Sequence, residues 1–142
     1  MKINVILITY NQEQFIQHAV EGILMQRFNG EIEVIVADDC SKDNTLAIIK
    51  SFENKSSFPF RYLDSSSNIG IKQNFRRSFE TCDGDYIAVL EGDDYWCNPY
   101  RLQKHVDFLN EHRECVMSWN PYIVFNNDSR LFETPQSHKG LV

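Results

Sequence analysis

The sequence predicts an α/β domain, a three-layer sandwich around a mostly parallel sheet, from three observations. Four stretches of strand length recur along the chain: Ile3–Ile8, Ile32–Ala37, Phe58–Leu63 and Asp85–Leu90. The segments between them carry apolar residues at helical spacing. The leading apolar runs lack the alternation of a half-exposed strand, as parallel strands covered on both faces do. Strand alternating with helix implies right-handed crossovers and helices on both faces of the sheet. The same rules give a core strand order of 3-2-1-4.

Each element has its own signal. After Ile3–Ile8 comes the polar stretch Asn11-Gln12-Glu13-Gln14. Phe15, Ile16, Ala19, Val20, Ile23 and Leu24 then recur as one face of a helix expected to stop near Phe28-Asn29-Gly30. The second strand runs into the polar loop Asp38–Thr45, where Ser41 or Asp43 would cap a second helix with Leu46, Ile49 and Phe52 inward. Beyond the third strand, Ser65–Gly70 is a loop and about Lys72–Thr81 a third helix. Asp83-Gly84 turns the chain into the fourth strand, which ends in Glu91-Gly92-Asp93-Asp94-Tyr95-Trp96. Asn98-Pro99 opens a helix with Leu102, Val106 and Leu109 on one face. Short strands are expected near Cys115–Trp119 and Tyr122–Phe125, and the tail from Asn126 is polar and weakly patterned.

Length and charge narrow the function. The 142 residues suffice for one domain, 1–142. A net charge of -6 and a pI of about 5.1 exclude the basic stripe of a nucleic-acid binder and a polybasic membrane patch. Cys40, Cys82, Cys97 and Cys115 have neither zinc-knuckle nor redox spacing, which fits reduced thiols in the cytoplasm. The apolar run at the N-terminus is too short to span a bilayer, so no transmembrane segment is expected in this chain.

Open α/β sheets bind ligands at the carboxyl ends of their strands. Three polar clusters fall there: Thr9-Tyr10-Asn11, Asp38-Asp39 and Glu91-Gly92-Asp93-Asp94. The fold would gather five carboxylates on one edge, and Mg²⁺ or Mn²⁺ would offset their repulsion. Singly, each cluster also fits a plainer role. Asp38-Asp39 and Asp93-Asp94 suit turns, Tyr10 suits packing, and Asn68 and Gly70 suit a loop needing positive φ. Their joint occurrence at successive strand ends favours a site. No G-x-G-x-x-G or P-loop follows the first strand, and His18, His105, His112 and His138 form no zinc motif.

These residues resemble the family 2 glycosyltransferases, inverting enzymes of the GT-A, Rossmann-like fold. Ile8-Thr9-Tyr10-Asn11 is similar to the family's first-strand motif, and Asp38-Asp39-Cys40-Ser41-Lys42-Asp43-Asn44-Thr45 to its Asp-Asp-x-Ser-x-Asp-x-Thr motif. Asn68-Ile69-Gly70 matches its Asn-x-Gly loop, and Glu91-Gly92-Asp93-Asp94 is similar to its metal motif. The order holds from Ile3 to about Leu109.

By that resemblance Thr9 and Tyr10 line the base pocket, with Asn11 beside them. Asp38 and Asp39 hold base and ribose, Asn68, Gly70 and Lys72 contribute to the donor site, and Asp93, Asp94 and Glu91 take Mn²⁺ or Mg²⁺ with the diphosphate. The implied reaction moves a sugar from a nucleotide-diphosphate sugar to a saccharide or lipid-linked acceptor hydroxyl, with inversion. The implied setting is polysaccharide or cell-envelope biosynthesis, in the cytoplasm or peripheral to its membrane.

The sequence departs from the family at Ile8, where proline or threonine is usual, and at Glu91, which replaces an aspartate. Asn74-Phe75-Arg76 stands where Ala-Arg-Asn is common, leaving Lys72, Arg76 or Arg77 as substitutes for the missing arginine. The chain ends about fifty residues after the metal motif, so it reads as the donor-binding N-terminal portion of a longer enzyme. No catalytic base is assigned; Asp107 or Asp128 would have to serve if these residues transferred sugar alone. The rival readings are a sugar-1-phosphate nucleotidyltransferase, whose glycine-rich loop after strand one is missing here, and a catalytically inactive nucleotide-binding domain of the same fold. A phospho-accepting receiver domain has its acids after strands one and three, not two and four.

Overall fold

The computed structural model describes residues 1–125 and 132–133. The chain divides into two units, Met1–Asp107 and Phe108–Val142. The first holds a parallel sheet of β1 (Lys2–Thr9), β2 (Glu31–Asp38), β3 (Phe60–Tyr62) and β4 (Tyr86–Glu91), in the order β3-β2-β1-β4 that the alternation predicts. Helices α1 (Ile16–Leu24), α2 (Thr45–Ser51) and α3 (Ile71–Thr81) are the crossovers, and α4 (Arg101–Glu111) follows β4. In the second unit β5 (Val124–Phe125) pairs antiparallel with β6 (Phe132–Glu133).

The period of two along β1 sorts its side chains between two apolar layers. Ile3, Val5 and Leu7 pack with Ile16, Ala19, Val20 and Ile23 of α1, Ile49 of α2, and Leu102 and Val106 of α4. Ile6 and Ile8 face the other way, with Ala37, Leu63, Phe75 and Cys82. Burying each such aliphatic side chain stabilises the fold by about 1.5–3 kcal/mol. That double covering explains why β1 and β2 read as continuous apolar runs.

At the amino edge of the sheet, the fully buried Asn4 does the work of a turn. Its Nδ2 donates to Glu33 Oε2 (3.0 Å), and its Oδ1 accepts the Asp83 N–H (2.9 Å) and the Gly84 N–H. Lys2 Nζ reaches both Glu33 (2.8 Å) and Asp83 (2.6 Å). This edge therefore satisfies its own charges and leaves the opposite edge for chemistry.

Three local expectations need correction. Helix α1 stops at Leu24, short of Phe28-Asn29-Gly30, because the chain is captured by the segment before α4. The buried Gln26 donates to the carbonyls of Gly22 and Asn98 (3.0 Å each), and the Arg27 N–H donates to the Pro99 carbonyl (2.7 Å). Neither Ser41 nor Asp43 is the cap of α2: Asn44 holds that position without a side-chain cap bond, the Ser41 hydroxyl is spent on Asp38, and Asp43, one residue earlier, accepts the Thr45 N–H (3.0 Å). No strand forms over Cys115–Trp119, where Val116 is 98% exposed. No described strand ladder includes this stretch; the Cys115 N–H turns back to the His112 carbonyl (2.9 Å) instead. Of the second stretch, only Val124–Phe125 is strand.

Candidate functional site

Register brings the predicted clusters together. Thr9 lies opposite Asp38 and Ile8 opposite Glu91, so the ends of β2, β1 and β4 form one edge. The loops leaving β1 and β2 are clasped by hydrogen bonds. The Asn11 N–H donates to Ser41 Oγ (2.9 Å), and Asn11 Oδ1 accepts the Lys42 N–H (2.8 Å). The Gln12 N–H donates to Thr45 Oγ1 (2.8 Å) and the Glu13 N–H to Asp43 Oδ2 (3.0 Å). Glu13 Oε2 in turn accepts both the backbone N–H (2.8 Å) and the side-chain amide (2.9 Å) of Asn44. The turn needs left-handed backbone at Asn11 (φ 51°) and Cys40 (φ 64°). Asparagine tolerates that region readily; cysteine does so less well.

Asp38 and Asp39 are both buried, but their carboxylates are engaged locally. Asp38 accepts the Ser41 N–H (2.9 Å) and hydroxyl. Asp39 accepts the N–H groups of Ile69 and Gly70, one on each oxygen at 2.8 Å. All five acids therefore stand at this edge, with Asp38 hydrogen-bonded within its own loop and Asp39 to the loop before α3. Asp39 staples the Asn68-Ile69-Gly70 loop to the site through those two amides. Gly70 has φ 83°, the conformation that favours glycine there, and its N–H also bonds Asn68 Oδ1 (3.2 Å).

The remaining acids form the charged side of the edge. Glu91, Asp93 and Asp94 are exposed, and no hydrogen bond or ion pair joins their carboxylates to another described residue. Though these residues are exposed overall, partial desolvation at the strand end, then the charges of Asp93 and Asp94, holds the Glu91 carboxyl above its ordinary pKa; partial desolvation, then Asp93, does the same for Asp94. Gly92 lets this turn sit tightly: an added Cβ would lie 2.7 Å from Thr9 Oγ1 and 2.5 Å from Gln12 Oε1. Behind it, Trp96 is buried against α1, its backbone so near Gly22 that a Cβ there would meet Trp96 N at 2.8 Å.

Such an edge fits a divalent cation delivered with a phosphate ligand. Magnesium-type ions take one or two protein carboxylates and complete their shell with water and phosphate oxygens. Among the described residues no three His, Cys, Asp or Glu side chains make a ready cage. The Glu91 and Asp94 carboxyls, raised first by desolvation and then by their acidic neighbours, are the groups a cation would relieve.

The other predicted residues are placed as follows. Thr9 is buried and donates to Gln12 Oε1 (2.7 Å), while Tyr10 stands 44% exposed at the rim, free for a ring to stack on. Lys72 is exposed on the first turn of α3, its ammonium unpaired among the described residues, and lines a groove with Ile69, Gln73, Arg76, Arg77 and Glu80. Asp107 accepts the Gln103 side-chain amide (2.7 Å); Asp128 lies outside the described residues, as does the tail from 126 apart from 132–133. Sequence reasoning missed Gln12, whose place between Thr9, Thr45 and Gly92 has no local signature. It also missed the Gly22–Trp96 contact, for which a glycine inside an apolar helical pattern is the one available cue.

The chain is similar to several known proteins. The sequence pattern of glycosyl transferase family 2 matches residues 4–138. An uncharacterised protein of Mycobacterium tuberculosis is 38% identical over 125 residues, covering 88% of this chain and 36% of that protein. The poly(ribitol-phosphate) beta-N-acetylglucosaminyltransferase TarS of Staphylococcus aureus is 32% identical over 125 residues, covering 82% of this chain and 20% of TarS. The crystal structure of a TarS portion with UDP superposes with a TM-score of 0.68 at 32% identity, covering 80% of this chain and 33% of that one. A mannosyltransferase from Pyrobaculum calidifontis, solved with GDP-Man and Mn²⁺, shares the fold: TM-score 0.69, 20% identity, 75% of this chain and 32% of that one. The chain thus spans about a third of the length of the first mycobacterial relatives it matches.

Proposed function

This chain belongs to glycosyl transferase family 2, and from that premise we propose that it supplies the donor site of an enzyme moving a sugar from a nucleoside diphosphate to an acceptor hydroxyl, with inversion. The carrying observation is the division of the carboxyl edge into a hydrogen-bonded half, Thr9 to Asp39 with Asn68–Gly70, and an unpaired acidic half, Glu91 to Asp94. The first half suits a base and ribose. Tyr10 offers a ring face, and the free lone pairs of Asp38 and Asp39 accept from base N–H and ribose hydroxyls. The second half suits a cation with a diphosphate: Asp93 and Asp94 would hold Mn²⁺ or Mg²⁺, with Glu91 beside them. Lys72, at the mouth of the Asn68–Gly70 loop, suits a donor oxyanion.

A uridine nucleotide is the proposed donor class, supported by the TarS structures with UDP and UDP-GlcNAc. The ion, when bound, supplies Lewis-acid stabilisation of the departing diphosphate. The chain's own residues bind and orient the donor. A saccharide or lipid-linked acceptor in polysaccharide or envelope synthesis is supported by relatives such as a teichuronic acid biosynthesis glycosyltransferase of Bacillus subtilis. No helix among the described residues is long and apolar enough to cross a membrane. A cytoplasmic enzyme, peripheral to the membrane, is the setting we propose.

The test is calorimetry of UDP with and without Mn²⁺ on this chain and on Asp93→Asn, beside a radiolabelled-donor assay with mixed acceptors. Expected are metal-enhanced UDP binding, its loss in Asp93→Asn, and little or no transfer. A missing general base alone costs about 10²–10⁴-fold in rate. Unchanged binding in Asp93→Asn removes that residue from the site. Efficient transfer by the chain overturns the donor-half reading.

A further inference from the structure

Resting on the donor-site reading, we infer that Arg77 is a positioning residue of that site, taking the place of a missing strand rung to fix the Asp38–Asp39 end of β2. Strand β3 is short. Its last rung to β2 is the Leu63 N–H donating to the Val36 carbonyl (2.9 Å). Two residues on, by the strand period, the Asp38 carbonyl faces the same way with no strand left to meet it. Arg77 Nη2 donates to it at 2.9 Å. Nη1 of the same guanidinium donates to the Asp64 carbonyl (2.6 Å), on the chain that has left β3, and Nε donates to Asn74 Oδ1 (2.7 Å).

Asn74 completes the attachment. It is 1% exposed, and its Nδ2 donates to the Ala37 carbonyl at 2.7 Å. Two residues of α3 thus hold two successive carbonyls at the end of β2. The next residue, Asp39, reaches back to the Ile69 and Gly70 amides that lead into the same helix. The circuit is closed: β2 end, α3, entry loop, β2 end. Its geometry decides where the carboxylates of Asp38 and Asp39 stand.

Arg77 does not act here as an anion-binding arginine. Its three bonds all go to neutral oxygens, and no ion pair to it occurs among the described residues. A planar fork serves three diverging acceptors at once, whereas lysine is a single point of charge. Hydrogen bonds from a charged donor are the stronger kind, so losing them should loosen the carbonyls, not merely trim a surface.

The experiment measures UDP affinity by calorimetry, with Mn²⁺ and with EDTA, for the 142-residue chain and for Arg77→Met and Arg77→Lys. Because Arg77 holds the base and ribose end and not Asp93-Asp94, Arg77→Met should weaken UDP about tenfold in both conditions. The ratio of affinities with and without Mn²⁺ should stay at its wild-type value, and Arg77→Lys should recover part of the loss. A purely structural role would disturb both ends and collapse that ratio. Wild-type affinity in Arg77→Met, or loss of the manganese ratio together with affinity, overturns the inference. Should Arg77→Met not fold, Arg77→Lys carries the test: about threefold weaker binding in both conditions supports it, and wild-type affinity overturns it. A wild-type chain that binds no UDP in either condition overturns the donor-site reading itself, before any variant is compared.

Discussion

Gly22→Ala sets two effects of opposite sign against each other. In a helix interior, alanine for glycine stabilises by about 1 kcal/mol, and Gly22 lies inside α1. The structure reverses that expectation. The new Cβ would sit 2.8 Å from Trp96 N, 2.9 Å from Trp96 O and 3.4 Å from Trp96 Cα. The first is roughly 0.7 Å short of an ordinary contact. Trp96 has little freedom to retreat: it is buried, and the Arg101 guanidinium lies 5.3 Å from its ring centroid.

Overpacking of this kind costs about 1–3 kcal/mol, so the helix gain is outweighed and the net loss is about 1 kcal/mol. For a chain of this size that corresponds to roughly 2–5 °C in Tm. The displaced segment begins two residues after Asp94, so manganese-dependent UDP binding should weaken as well. Urea denaturation, the fluorescence of Trp96 and UDP titration report the three consequences. A variant at least as stable as wild type, with unaltered binding, would refute the reasoning: helix propensity would then dominate and the packing would not be tight.

Asp39→Asn keeps the shape but turns one acceptor into a donor facing the Ile69 or Gly70 N–H. It should cost about 1–3 kcal/mol, with faster amide exchange at Ile69 and Gly70; wild-type protection at both amides would disprove the staple. Glu91 and Asp94 have folded-state pKa values raised by burial and then by neighbouring acids. Their contribution to stability is fully present below the unfolded-state value and is lost as pH rises through the raised folded value. Between about pH 4 and neutrality, Asp94→Asn should therefore lose less stability than wild type, and parallel stability curves would contradict this. Manganese-dependent UDP binding should rise over the same window, because the ligands must be deprotonated.

The sheet was legible because double covering leaves apolar residues on both faces of β1 and β2, broken only by polar residues such as Asn4 and Glu33, and β4 was placed by the strand–helix alternation with the crossover rule. The motif residues were legible as positions at strand ends. What they touch was not. Asp38 and Asp39 read alike in sequence, yet one closes on Ser41 and the other reaches about thirty positions along the chain to Ile69 and Gly70. Long-range partners of that kind carry no periodicity. The end of α1 was misplaced for the same reason, since Gln26 and Arg27 answer to Asn98 and Pro99. The resemblance left Lys72, Arg76 or Arg77 to substitute for the family's arginine, and nothing local in the sequence showed that the Arg77 guanidinium meets the Asp38 and Asp64 carbonyls and the Asn74 amide oxygen.

The clasp between the β1 and β2 loops bears on kinetics. Asn11, Gln12 and Glu13 are tied to Ser41, Lys42, Asp43, Asn44 and Thr45 before any ligand arrives. A nucleotide entering there has little backbone left to order, so association should proceed in one step without a slow rearrangement. Among variants that leave the clasp intact, differences in affinity should then appear mainly as differences in residence time.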